Sequence, residues 1–218
     1  GLKEITLKRI FLLALASGKR RGEKHTLENK VLHHRGDWKT ISLKPALEFV
    51  SKTHLKTKGL GTLKEIVLTS LEEAFPQESE LEKSLCPVLT LKHYLKTAAK
   101  YRHPNQKRLL ISYVPGKTTD ITKQTISRYI KSMIQMAYQK SDTDTDMLRQ
   151  LNIKTHQVRH VANSLSYCQG ATLDEILASG CWQSANTFIS FYLQDYSYDE
   201  CTGRNFIGPF IAAGKKVV

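Results

Sequence analysis

Apolar side chains at Ile5, Leu7, Ile10, Phe11, Leu13 and Ala14 recur at helical spacing, with enough apolar neighbours that residues 5–17 are predicted to form a helix buried almost all round. Gly18 interrupts it, and a second short helix is predicted from about residue 20 to 27. The rhythm then changes. Residues 31–34, 39–43 and 65–69 are short β-rich runs, Arg35-Gly36-Asp37 reads as a turn, and the Lys- and Gly-rich stretch 52–62 reads as a mobile hairpin loop. A small antiparallel sheet is the economical arrangement of these runs.

From Pro87 onward helical patterning returns, over residues 88–101, 121–138, 156–169, 173–179 and 184–193. Asp120 ahead of the second of these, and Thr172 with Glu175 three residues later ahead of the fourth, are helix-start signals. Residues 139–146 are polar and low in complexity, a predicted surface loop, and no internal repeat is present. The expected fold is mainly α with a small antiparallel β-sheet near its N-terminal end.

Charge narrows the choice of partner. Lys and Arg outnumber Asp and Glu by 33 to 20, for a formal charge of +13 and a pI near 9.6, which favours a polyanion and nucleic acid first among polyanions. Ribosomal, membrane-surface and heparin-binding proteins share such a balance. No apolar run approaches the roughly 18 residues of a membrane span; the segment 10–16 is short and flanked by Lys8, Arg9 and Lys19. Cys86, Cys168, Cys181 and Cys201 lack the paired spacing of a zinc site or the density of a disulfide scaffold, so four reduced core cysteines are expected.

Candidate chemistry lies in three places. Lys154-Thr155-His156-Gln157-Val158-Arg159-His160 sets His156 and Arg159 one turn apart, where both can face one phosphate. Gly180-Cys181-Trp182 precedes Asn186-Thr187-Phe188 and Phe191-Tyr192, with ten residues from Trp182 to Tyr192. Near the N-terminus, Gly18-Lys19-Arg20-Arg21-Gly22-Glu23 puts a basic residue at the mouth of a helix. Taken singly, the first occurs often by chance, the second is the pattern of core packing, and the third is a basic run.

In order, Gly-x-Arg-x-x-Glu, a Lys in a β-hairpin, Thr-His-x-x-Arg-His, Gly-x-Trp and then Tyr resemble the boxes of the tyrosine recombinase family, which includes phage integrases. The resemblance covers nearly the whole chain. Finer features are similar to the eukaryotic branch of DIRS-like and Ngaro-like retrotransposons and Crypton elements. They are the run LLALASGKRRGE from Leu12 to Glu23, Phe49-Val50-Ser51-Lys52-Thr53, Cys86-Pro87-Val88 with Leu91-Lys92-His93-Tyr94-Leu95, and Trp182 with Asn-Thr-Phe ahead of Phe191-Tyr192. The nine-residue step commoner in phage-type sequences would land on Phe191, which has no hydroxyl, so the ten-residue step and Tyr192 are favoured.

The resemblance implies the catalytic-domain fold of DNA breaking and rejoining enzymes over residues 1–193, and strand transfer without metal, ATP or other cofactor. Tyr192 is then the nucleophile that forms a 3′-phosphotyrosyl bond, Arg20 and Arg159 the clamp on the phosphate, and His156 the general base or orienting group. Trp182 donates its indole N–H to a phosphate oxygen, and Lys52, or else Lys56 or Lys58, protonates the leaving 5′ oxygen. Glu23 and His160 are supporting residues. Arg21 rivals Arg20 for register, and Tyr167, Tyr196 and Tyr198 lie at the wrong spacing for the nucleophile.

Double-stranded DNA is the implied partner, with a dimer or tetramer on DNA, no membrane, and the nucleus as the compartment. The family's N-terminal helical domain is expected to be absent, which implies weak, salt-sensitive DNA affinity. Residues 194–218 form an expected tail whose Phe206, Ile207, Phe210 and Ile211 dock on a neighbouring protomer or on the chain's own domain. A tyrosine-type topoisomerase and a non-catalytic, domesticated DNA-binding protein are the alternatives.

Overall fold

The computed structural model describes residues 1–46, 65–74, 83–140, 154–168, 170–180, 182 and 184–193. Helix α1 (Leu2–Ser17) is the spine of the domain. Its Leu7, Ile10, Leu12, Leu13, Leu15 and Ala16 are all buried, as the dense apolar pattern requires, because helices pack against several of its sides. Helix α2 (Arg21–His25) follows, then β1 (Leu27–Arg35), a tight turn over Gly36–Lys39, β2 (Thr40–Pro45) and β3 (Ile66–Thr69). The remaining helices among the described residues are α3 (Leu71–Ala74), α4 (Pro87–Ala98), α5 (Lys123–Lys140), α6 (Gln157–Cys168), α7 (Leu173–Gly180) and α8 (Ala185–Phe191).

The three strands form one antiparallel sheet in the order β1-β2-β3. Ile41 pairs with Leu68 and Leu43 with Ile66, and these four side chains are buried, so the alternation in β2 and β3 supplies one apolar face. That face joins a single core with α1, α4 and α5, including Leu91, Tyr94, Ile126 and Tyr129. Most of β1 beyond Leu27 carries its side chains to solvent, as an outer strand with a basic, polar sequence does. No described helix is long and apolar enough to cross a membrane.

One junction fixes the start of α4, against which α1 packs, and a second ties α1 to it. Cys86 caps the N-terminus of α4, where its Sγ accepts the Leu89 N–H at 3.5 Å and the Leu71 N–H at 3.3 Å, and Pro87 follows at a position that needs no amide donor. Arg9, which the sequence places only as a flanking charge, is fully buried and donates from Nη1 to the Pro87 carbonyl at 2.9 Å. Burial pulls its guanidinium down to about 9.

The mainly α architecture with a small antiparallel sheet matches the expectation, and three details differ. Gln139 and Lys140 continue α5 where a loop is expected, because two polar residues at an exposed helix end can extend the turn begun by Ala137 and Tyr138. Cys168 is exposed rather than in the core, since it falls at the end of α6, beyond the last inward turn. Phe191, which the sequence puts with Phe188 on the buried face of the last helix, is 72% exposed, whereas Phe188 is buried. Phe188 and Tyr192, four apart, share the inward side of α8, and Phe191 falls outside it. The hairpin stretch 52–62, Cys181, Cys201 and the tail 194–218 lie outside the described residues.

Candidate active site

The run Arg20 to Thr26 contains no apolar side chain, so the short helix it forms must turn polar groups inward. α1 ends at Gly18, whose φ of 56° is the left-handed conformation a helix C-cap uses, and whose N–H donates to the Ala14 carbonyl at 3.1 Å. A side chain there would also collide with Asn163 of α6, the nearest atom lying 2.8 Å from where Cβ would stand. The end of α1 and the middle of α6 thus interlock. Asn163 in turn donates from Nδ2 to the Arg159 carbonyl at 2.6 Å, which ties this contact to the start of α6.

Arg20 is the N-cap of α2. Glu23, three residues on, accepts the Arg20 backbone N–H and lies 3.7 Å from the Arg20 guanidinium. Its other close cation is Arg159 of α6, at 3.9 Å, and Glu23 and Arg159 are 3% and 5% exposed. One buried carboxylate therefore stands between two guanidinium groups from distant parts of the chain. Arg20 is the more open of the two at 34%. Arg21 has a different partner, its Nη1 donating to Ser127 on α5 at 3.2 Å.

Arg159 is held on three further sides. Nη2 donates to the Gly180 carbonyl at 2.6 Å, and the guanidinium carbon lies 4.2 Å from the centroid of the Trp182 ring and 5.5 Å from that of Tyr192. Gly180 is needed for this packing, because a Cβ there would come within 1.9 Å of the Trp182 ring. Trp182 is itself buried among Ile176 and Phe188, and its Nε1 has no hydrogen-bond partner among the described residues.

Tyr192 caps the C-terminus of α8, its N–H donating to the Phe188 carbonyl at 2.8 Å and its carbonyl accepting from Ser164 Oγ at 3.0 Å. Its ring packs 4.8 Å from Trp182, edge to face, and 4.5 Å from the His160 imidazole, which lies 5.3 Å from His156. Burial, with His156 and Arg159 nearby, lowers the affinity of His160 for a proton, so it is neutral at neutral pH. His156 is exposed, in the turn that opens α6.

These groups border one cleft of about 550 Å³, lined by Lys19, Arg20, Arg21, Lys24 and Lys123 with His156, Arg159 and Tyr192. Glu23 is the only acidic side chain among its described lining residues. Such a bowl suits an oxyanion, with a phenol at its rim. The structure brings together Arg20, Glu23, His156, Arg159, His160, Trp182 and Tyr192. Lys52, Lys56 and Lys58 fall outside the described residues, as do Tyr196 and Tyr198. Tyr167 is exposed on the far half of α6 and does not reach the cleft.

Sequence reasoning missed Lys24 and Asn163. Lys24 is 4% exposed, donates from Nζ to the Lys19 carbonyl, and is lowered to about 7 by burial against the opposing pull of Glu23. The absence of any apolar residue from Arg20 to Thr26 was the signal that could have found it. Nothing in the sequence around Asn163 marks it, because its role depends on Gly18 lying opposite.

No family model matches the chain, and no curated protein matches its sequence. Among solved structures it is similar to the crystal structure of XerA recombinase, with a TM-score of 0.52 and 17% sequence identity. The likeness covers 89% of this chain and 59% of that one, so the chain spans rather less than two thirds of its length. At this identity the likeness is one of fold.

Proposed function

We propose that this chain is the catalytic domain of a tyrosine recombinase, which cleaves and rejoins duplex DNA through a phosphotyrosyl intermediate on Tyr192. The observation that carries the reading is the packing of Tyr192 against Arg159 and Trp182 at the rim of a cationic cleft. The ordered motifs and the fold shared with XerA recombinase support it.

In this reading a backbone phosphate enters the cleft with its non-bridging oxygens toward Arg20 and Arg159. The phenol oxygen of Tyr192 attacks phosphorus, a P–O bond to the tyrosine forms, and the bond to the 5′ oxygen breaks. Negative charge grows on the non-bridging oxygens, and two fixed guanidinium groups stabilise it without reorganising at the moment of reaction. Arg159 is preorganised by Glu23, the Gly180 carbonyl and the Trp182 ring. The Trp182 N–H, with no described acceptor, supplies a further donor.

The proton of Tyr192 passes to His156, and the 5′ oxygen takes one from a lysine, Lys52 being assigned by resemblance. Rejoining is the reverse attack by a 5′ hydroxyl, so the bond energy is kept in the phosphotyrosyl link. The work belongs to a eukaryotic mobile element of the DIRS-like, Ngaro-like or Crypton kind, in the nucleus, with two or four copies assembled on DNA.

A nicked duplex that traps the covalent intermediate tests this. The unchanged chain should give a protein–DNA adduct and the Tyr192→Phe chain none. An adduct that persists in Tyr192→Phe sinks the nucleophile assignment. Binding with no adduct on any DNA points instead to a non-catalytic DNA-binding protein, and relaxation of supercoiled DNA without strand exchange to a topoisomerase.

A further inference from the structure

Lys24 is the one lysine that follows the buried carboxylate in α2, and its placement differs from that of a surface cation. It is 4% exposed, its backbone N–H donates to the Arg20 carbonyl at 3.1 Å, and its Nζ donates to the carbonyl of Lys19. The side chain therefore loops back to the peptide immediately before Arg20. Lys19 is also buried, so this connection between α1 and α2 is held from inside.

We propose that Lys24 is a positioning residue of the transfer site, its amine tying the Lys19 carbonyl and so fixing the peptide on which Arg20 is carried. The inference rests on the reading of the cleft as a phosphate-transfer site. Arg20 is the partly open member of the guanidinium pair. Its carboxylate partner, Glu23, orients the head group and accepts the N–H of the same planar peptide whose carbonyl Lys24 bonds. The peptide is thus gripped on both edges, the carboxylate on its N–H and the amine on its carbonyl. The amine of Lys24 closes the loop.

The charge state of Lys24 then bears on the reaction. The buried ammonium shares its cleft with Glu23 on its own helix, Lys19 and Arg20 in the preceding loop, Lys123 on α5, His156 and Arg159 at the start of α6, and Tyr192 beyond α8, and it feels Glu23 and Arg159 most. Burial first and Arg159 next bring it to about 7, so the tie weakens from near neutrality upward as the amine loses its proton. Arginine at the same position stays charged throughout that range.

The test uses the full chain with Lys24→Met and Lys24→Arg, reading adduct formation on the nicked duplex from about pH 6 to about pH 9 and hydrogen exchange of the segment 18–26. Lys24→Met should slow adduct formation by about 10²-fold, the scale of a misplaced reacting group, with DNA affinity little changed, and should speed exchange of that segment alone. Lys24→Arg should hold the segment and extend activity to higher pH. A DNA with a sulfur in place of the bridging 5′ oxygen needs no proton on its leaving group. Rescue of Lys24→Met by that substrate makes Lys24 a proton donor and overturns the positioning role.

Unchanged exchange and unchanged rate in Lys24→Met overturn it as well. Should Lys24→Met fail to fold, Lys24→Gln is read by the same criteria. If the unchanged chain forms no adduct while the segment still loosens in Lys24→Met, the transfer reading has failed and the tie to Lys19 has not.

Discussion

The carboxylate of Glu23 stands 3.9 Å from the guanidinium of Arg159, and neither side chain is more than 5% exposed. Removing one partner of a buried pair leaves the other charge without compensation, which typically costs about 3–5 kcal/mol. Glu23→Ala should approach that loss, since it also frees the Arg20 N–H that the carboxylate accepts. Denaturant unfolding measures it. A loss below about 1 kcal/mol, the scale of an exposed pair, would show that the pair contributes little.

Gly180→Ala is expected to be far more damaging than a helix-end glycine would suggest. Its Cβ would lie 1.9 Å from the Trp182 ring, so the indole must move off the Arg159 guanidinium. The chain has two tryptophans, so Trp182 can be read alone by fluorescence in a Trp38→Phe background. We expect a shifted emission maximum together with lower stability; an unchanged spectrum would show that the ring has not been displaced.

Arg159→Lys keeps the charge and should still fail. Lysine cannot bond the Gly180 carbonyl, face Glu23 and lie flat on Trp182 at once, as the planar guanidinium does. The rate of adduct formation should fall by about 10²–10³-fold, as for loss of one preorganised donor. On the proposed reading, DNA affinity rests on many basic side chains and should change much less.

The depressed proton affinity of His160 has a stability consequence with a definite sign. Below the ordinary histidine value of 6.5 the unfolded chain binds a proton that the folded chain resists, chiefly because the ring is buried, and also because His156 and Arg159 are close. His25, shifted the same way mainly by burial, adds to it. The melting temperature should therefore drop as pH falls below 6.5, and His160→Asn should flatten part of that drop. Melts at matched ionic strength decide it; a mutant that loses as much stability on acidification as the parent would exclude His160 as a source.

Much of the fold was legible in the sequence because its signals are local. The apolar density of α1, the alternation in β2 and β3, and the Thr172 and Glu175 start of α7 each act within a few residues. Tyr192 and Trp182 were legible as a spaced pair, and their rings do meet. Lys24 and Asn163 were not, because what each does depends on a carbonyl or a glycine contributed by another stretch of chain. Arg9 is the sharpest case. A positive charge ahead of an apolar run reads as a flank, and only the arrival of Pro87 beside it explains its burial. The exposure of Phe191 shows the same limit on a smaller scale, since the apolar composition of α8 does not say where that helix stops.

The interlock of Gly18 with Asn163 joins two residues that are far apart along the chain, the first made before the second. A ribosome delivers Arg20 long before Arg159, and Tyr192 after both. Contacts of such wide sequence separation are slow to form, because the intervening chain must first be ordered. On the proposed reading, a chain interrupted anywhere between Arg159 and Tyr192 carries the phosphate clamp without the phenol, and so holds DNA that it has no means to cut.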